Sequence, residues 1–318
     1  LGMIIAETRN VTKRFTLRTS LRDWIMRRKI ILTALRNVSV TIPERKIIGL
    51  VGESGSGKTT LGRVIGGLEP PSEGTVEFMG SALYGDSSSP TGKIQFVFQD
   101  PWAAVNPRFT LSQIIEEPLL LLGYKPSERA SLAREALSSV GLPQDEQFLE
   151  RHPWELSGGQ LQRVIIARAV VSRPTLIIAD EPASMLDVSL RIGVLNLIMG
   201  LRDSYNTSFL FITHDLAQAM YVADYLYVLY LGEIMEEGPT ESVLHQPLNP
   251  YTLSLIKSIP TIGSKELEAI RGEVPSPIKL PSGCGFSSRC PIASTTCKTS
   301  HPELTKRGED RKSRCLLQ

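Results

Sequence analysis

The segment Gly52-Glu53-Ser54-Gly55-Ser56-Gly57-Lys58-Thr59 lies between a short apolar run, Lys46 to Val51, and a helical pattern over residues 60–68. A Gly-x4-Gly-Lys-Thr loop in that setting constrains the chain more than any other feature. It needs a strand entering it and a helix leaving it. Its glycines allow backbone conformations and close approaches that a Cβ would obstruct. Backbone N–H groups and the helix N-terminus then face phosphate oxygens. Lys58 is placed to reach β- and γ-phosphates, and Thr59 to offer a hydroxyl to Mg2+. Such a loop demands an α/β sheet behind it.

The rest of the chain supplies that sheet. Leu176 to Ala179 and Ser208 to Thr213 are apolar runs of strand length, and Ile94 to Phe98 reads as a third buried strand. Residues 3–15 and 34–51 read as strands, and Tyr225 to Glu237 as a hairpin turning near Gly232. Residues 110–140 and 160–171 have helical periodicity, broken by Pro118 and Pro126. Strands alternating with helices predict an α/β core with a largely parallel sheet. Asp180 ends one apolar strand, where a carboxylate can hold the Mg2+ shell. Glu181 follows it, placed to orient or deprotonate an attacking water. His214 follows the next strand, where a γ-phosphate sensor is needed.

At 318 residues the chain has room for about two units of ~150 residues, and 42% hydrophobic residues can fill a sizeable core. A net charge of +2 gives no reason to expect a nucleic-acid partner. No run approaches the roughly 18–20 apolar residues that span a bilayer. The first ten residues lack the layout of a signal peptide. The expectation is a cytoplasmic protein that can dock on a membrane partner. Residues 16–33 are basic, with Leu17, Leu21, Trp24 and Ile25 at helical spacing. They suit either a solvated surface helix or a segment touching anionic lipid.

All four cysteines fall in the last 35 residues, as Cys284-x5-Cys290-x6-Cys297-x17-Cys315. Four thiolates suit a [4Fe–4S] cluster or a structural Zn2+. The spacing lacks the paired C-x2-C of a zinc ribbon, and disulfides are disfavoured in a reducing compartment. Free or disulfide-linked thiols remain the alternative. A cluster here would be structural, pinning a Pro-rich tail that has no large core of its own.

Taken with Gln99 and Leu156-Ser157-Gly158-Gly159-Gln160, these motifs resemble the ATP-binding cassette ATPases from residue 3 to about 240. The resemblance implies ATP and Mg2+ as ligands. It also implies a P-loop RecA-like core with a mixed β-sheet, an antiparallel β subdomain, an inserted α-helical subdomain and a small C-terminal extension. The segments would be 3–98, the β subdomain and P-loop core; 99–171, the helical signature subdomain; 172–240, the rest of the core; and 241–318, the extension. By the same resemblance Phe15 stacks on adenine, and Gly52 through Thr60, including Glu53, Ser54, Gly55, Ser56, Gly57 and Lys58, hold the triphosphate. Thr59, Gln99 and Asp180 hold Mg2+, and Glu181, His214 and Gln99 serve catalysis. Ser157, Gly158, Gly159, Gln160 and Asp187 would contact ATP bound by an opposing subunit. The positive end of the helix beginning near Gln160 would point the same way.

Finer features resemble the dipeptide and oligopeptide importers. They are Gln99-Asp100-Pro101-Trp102 through Arg108, Asp187-Val188-Ser189-Leu190-Arg191, and Asn249-Pro250-Tyr251-Thr252 with the extension that follows. Some members of that group carry an iron–sulfur cluster in the region resembled by Gly283 through Pro291. Nickel and sugar-oligomer importers share the motifs, so the solute stays open. The resemblance implies a motor at the cytoplasmic face of the membrane. Its partners would be a paralogous ATPase, two transmembrane permease subunits and, indirectly, an extracytoplasmic solute-binding protein. A soluble cassette acting on DNA or the ribosome is the competing class. One cassette without a sustained heptad pattern argues against it.

Overall fold

The computed structural model describes residues 2–17, 30–85, 90–259, 270 and 272–317. The basic insertion therefore lies largely outside the described residues. Along the chain run β1 (Ile4–Leu17), β2 (Ile30–Pro43), β3 (Ile47–Val51), β4 (Glu73–Phe78), β5 (Ser81–Ala82) and β6 (Ile94–Val97). They are followed by β7 (Leu176–Asp180), β8 (Ser208–Thr213), β9 (Tyr225–Tyr230), β10 (Glu233–Pro239), β11 (Thr305–Lys306) and β12 (Lys312–Ser313). Backbone proximity divides the chain into two units. The first is Leu1–Ile5, Ile42–Ile47 and Phe78–Ile212; the second is Ala6–Thr41, Ile48–Glu77 and Thr213–Gln318.

In the first unit β6, β7 and β8 pair in parallel, with Val97 opposite Ala179 and Ala179 opposite Phe211. Every residue of β7 and β8 is buried, as a doubly covered parallel sheet requires. In β6 only Val97 is buried, against the expectation for Ile94 to Phe98. The strand is an edge, so one side lacks a neighbour. The helix Leu111–Leu121 opens on a Thr110 and Gln113 capping box and passes through Pro118 without breaking. Proline removes one helical hydrogen bond, yet Leu111, Ile114, Ile115, Pro118 and Leu119 all face the core and hold the helix together. Pro126 behaves otherwise. It stands first in the helix Pro126–Ser139, where its missing N–H costs nothing.

In the second unit β3 pairs in parallel with β9, and β9 pairs antiparallel with β10. This unit's strands are thus mixed in direction. The β9–β10 turn uses Leu231 and Gly232, both with left-handed φ (46° and 77°). Such a turn matches the twist of a two-residue hairpin. The tail then adds β12 to β10, with Glu236 opposite Ser313, and β11 to β12. Strands β2, β1 and β4 lie side by side in a separate sheet. Arg14 bonds Glu73 while Arg9 reaches Glu77, so β1 and β4 run in opposite directions.

Among the described residues the tail has no separate core. Tyr251, Leu255 and Phe286 join Val51, Leu226, Val228 and Tyr230 in one buried cluster, with Cys284 and Cys290 packed against it. Charge reinforces the docking. Glu233, Glu236 and Glu237 on β10 meet Arg314, Arg311 and Lys312 of the tail. No helix among the described residues is long and apolar enough to cross a membrane.

Candidate functional site

The loop after β3 is a cradle that leaves no room for a Cβ at Gly52 or Gly57. Gly52 has φ of 153°, and a Cβ there would fall 2.0 Å from the Leu229 carbonyl oxygen. Gly57 has φ of 105° and would put its Cβ 2.5 Å from the Ala34 carbonyl oxygen. Gly57 precedes the helix Lys58–Ile65, which starts two residues before the predicted span and directs its N-terminal N–H groups toward the loop. The Lys58 ammonium is buried and donates to the carbonyls of Gly52 (2.7 Å) and Glu53 (2.9 Å). Ser56 Oγ is buried without a hydrogen-bond partner among the described residues. An orphaned hydroxyl in a glycine-lined loop at a helix N-terminus fits a phosphate ligand. Ser54, Gly55 and Thr59 are exposed, and Thr60 is half-buried.

Phe15, half-buried on β1, carries the Lys13 ammonium 5.0 Å from its ring centroid. His214 is exposed just past β8, and the next residue, Asp215, caps the helix Leu216–Val222.

The first unit brings Gln99 and Glu181 together. Gln99 Nε2 donates to a Glu181 carboxylate oxygen at 3.2 Å. Asp180 is buried at the end of β7, and Glu181 adopts a left-handed φ of 49°. A non-glycine residue held there stores strain, which collects at functional sites. Asp180 and Gln99 belong to this unit, whereas Thr59 belongs to the second.

The signature segment also lies in the first unit. Ser157 caps the helix Gly158–Val170. Its hydroxyl accepts from Gln160 N (3.3 Å), and Gln160 Oε1 accepts from Ser157 N (3.0 Å). The helix thus begins two residues before Gln160, whose side-chain oxygen takes part in the cap. Gly158 faces open space, while a Cβ on Gly159 would come 3.1 Å from Leu190. Asp187 is exposed before the helix Val188–Tyr205, beside exposed Met185, Val188 and Leu190.

Two residues that sequence reasoning left without a role touch the phosphate loop. Tyr251 is fully buried, and its hydroxyl accepts from Glu53 N at 3.0 Å. Arg289 grips the Glu53 carboxylate with both terminal nitrogens, at 2.6 and 2.9 Å. The available signal was an arginine beside Cys290 in a stretch otherwise poor in charge.

The four thiols line a single cavity of about 20 Å³, with no disulfide among them. Burial pushes the Cys284 and Cys290 thiols above their ordinary pKa. Among the described residues no group of three or more His, Cys, Asp or Glu is spaced to hold a metal ion. A cavity of that volume takes one water rather than a cluster. The four cysteines therefore line one cavity without standing at ligation spacing.

Comparison with known proteins agrees with this geometry. Residues 35–184 match the ABC transporter family, and residues 235–297 match the oligopeptide/dipeptide transporter C-terminal region. The oligopeptide transport ATP-binding protein AppF of Bacillus subtilis is 42% identical over 312 residues, 94% of this chain and 93% of that protein. A putative peptide import ATP-binding protein of Brucella ovis is 42% identical over 285 residues, 87% of this chain and 89% of that protein. The dimeric post-hydrolysis cassette MJ0796, bound to ADP and Pi, superposes with a TM-score of 0.62 at 29% identity, over 74% of this chain and 99% of that one. The chain belongs to the ABC transporter ATPases, in the group that carries the oligopeptide/dipeptide transporter C-terminal region.

Proposed function

We propose that this chain is the ATP-hydrolysing motor subunit of a membrane importer for di- and oligopeptides. The observation that carries the reading is the cradle of Gly52, Gly57, buried Lys58 and orphaned Ser56 Oγ in a chain whose relatives are named for peptide import. Lys58 would exchange its two carbonyl acceptors for β- and γ-phosphate oxygens. Glu181, held by Gln99, would orient the attacking water and take its proton, and His214 would contact the γ-phosphate. Thr59, Gln99 and Asp180 would hold Mg2+, which when bound neutralises charge developing on the phosphates. Phe15 would stack on the adenine.

The chain works as half of a clamp. Ser157, Gly158, Gly159, Gln160 and Asp187 would complete the site of a paralogous ATPase, and exposed Met185, Val188 and Leu190 supply an apolar margin for that contact. Trp102, Leu120 and Leu121, exposed in the 99–171 segment, suit a helix from a permease subunit. That arrangement puts the protein at the cytoplasmic face of the membrane, coupled through two permeases to an external binding protein. Residues 3–98, 99–171, 172–240 and 241–318 are its working segments.

The four tail thiols are proposed as ligands of a [4Fe–4S] cluster with a structural role. Convergence of an all-thiol donor set supports this reading, and the present spacing requires the tail to relax around the cluster. Iron and acid-labile sulfide in anaerobically purified protein test it, and a colourless, iron-free product would refute it.

The motor reading is tested by reconstituting the chain in vesicles with a second importer ATPase and a permease pair. Peptide added with the binding protein should stimulate ATP hydrolysis. Stimulation by sugar oligomers or nickel alone would reassign the solute. Full-rate hydrolysis by an isolated monomer would remove the clamp.

A further inference from the structure

We propose that Arg289 is a positioning residue for the nucleotide site, acting through Glu53. The inference rests on the reading of Gly52 to Thr60 as the phosphate cradle. Glu53 is tied at three points. Its N–H donates to the Tyr251 hydroxyl, its carbonyl accepts from Lys58, and its carboxylate is forked by Arg289. Lys58 is the tie that ATP removes, because its ammonium must leave the Gly52 and Glu53 carbonyls to meet a phosphate. Arg289, Tyr251 and the Ser56 N–H on the Glu53 carbonyl are the ties that remain. Of these, Arg289 and Tyr251 hold the loop from outside and keep it open at the moment its lysine hydrogen bonds are lost.

The fork is rigid at its other end. The Arg289 side chain is only 4% exposed and also donates to the Tyr230 hydroxyl at 3.2 Å. Its guanidinium sits near the faces of Tyr230 and Phe286, within an aromatic cluster that includes Tyr251. The Arg289 N–H closes a turn on the Phe286 carbonyl, between Cys284 and Cys290. A planar bidentate pair transmits orientation as well as charge, which a lysine cannot reproduce. The tail beyond residue 240 is thereby part of the nucleotide-binding apparatus, and its thiol-bearing turn sets how well the loop is preorganised.

The test is titration of the full chain with mant-ATP, in Arg289→Ala, Arg289→Lys, Glu53→Gln and the Arg289→Ala/Glu53→Gln double variant, with Lys58→Ala as control. Arg289→Ala and Glu53→Gln should each weaken binding by about fivefold or more, the lower range of site-to-site coupling. Arg289→Lys should recover part of the loss. The double variant should bind no more weakly than the worse single one, whereas general destabilisation would leave the two effects additive. The inference is overturned if both single variants stay within about twofold of the parent while Lys58→Ala loses binding, or if their effects multiply. Should Arg289→Ala fail to fold, Arg289→Lys and Glu53→Gln carry the same comparison. Full affinity in Lys58→Ala would refute the cradle itself, and this inference with it.

Discussion

Gln99 and Glu181, 82 residues apart, meet through a 3.2 Å hydrogen bond from the glutamine amide to the carboxylate. They follow the C-terminal ends of β6 and β7, paired so that Val97 lies opposite Ala179. Ligand chemistry in open α/β sheets sits at this end of the strands. The bond gives the glutamine a grip on the proposed water-orienting carboxylate. Glu181 bears a left-handed backbone as well.

Glu181→Gln should keep ATP affinity and lose turnover by about 10²–10⁴-fold, the range that a positioned general base contributes. With its partner present, the variant should accumulate as an ATP-loaded dimer. Phosphate release and size-exclusion chromatography measure both effects. Normal turnover would show that the base is some other group.

Ser157 allows the cap and the proposed trans contact to be separated. Ser157→Ala removes the acceptor for Gln160 N and should lower stability by about 1 kcal/mol. Ser157→Asp keeps an N-cap acceptor, so its denaturant midpoint should stay near the parent's. Its added negative charge would oppose a phosphate, and hydrolysis by the assembled pair should be lost. An active Ser157→Asp protein would mean that this position faces no phosphate.

The phosphate loop, the strands behind it and the hairpin at Gly232 were legible because their signals are local: glycine spacing, apolar runs and turn residues. Asp180 and Glu181 were legible for the same reason, as acids ending an apolar run. The continuous helix through Pro118 was not, because burial of Ile114, Ile115 and Leu119 overrides the propensity read from the proline. The spacing that marked Gln160 did not announce its part in a capping box with Ser157. The Arg289–Glu53 fork joins residues 236 positions apart, and no periodicity announces such a pair. The tail's strand pairing was hidden too. Lys312–Ser313 is too short to read as a strand, although the Arg311, Lys312 and Arg314 run complements the glutamates of β10.

The raised thiols of Cys284 and Cys290 give a sign for pH dependence in metal-free protein. Burial favours the neutral thiol, so folding binds the proton more tightly than the unfolded chain does. That contribution is intact below the ordinary thiol pKa of about 8.5 and is lost as pH rises through the higher folded value. Tail stability should therefore fall on the alkaline side, and Cys284→Ser should flatten the fall. Thermal melts of both proteins across that range give the comparison. A parent whose melting temperature is constant there would contradict the burial argument.

Glu236 fastens the tail from β10. Its carboxylate is fully buried and accepts from Leu248 N and Asn249 N, both at 2.9 Å, and from Arg311 at 2.7 Å. Replacing it with alanine removes the carboxylate facing the half-buried Arg311 and leaves two backbone donors without their acceptor. Breaking one side of such a pair costs about 3–5 kcal/mol. The surface pair Arg173–Glu135, with side chains 61% and 50% exposed, should contribute no more than about 1 kcal/mol when broken. The damage at Glu236 should spread along a defined route. The Asn249 amide ties the Met235 and Arg314 carbonyls, and its side-chain oxygen accepts from Tyr251 N. Tyr251 in turn holds the amide of Glu53. Glu236→Ala should thus expose the tail to limited trypsin digestion and weaken mant-ATP binding together, while Glu135→Ala should do neither. Digestion without any loss of nucleotide affinity would mean that the tail docks on the core without steadying its phosphate loop.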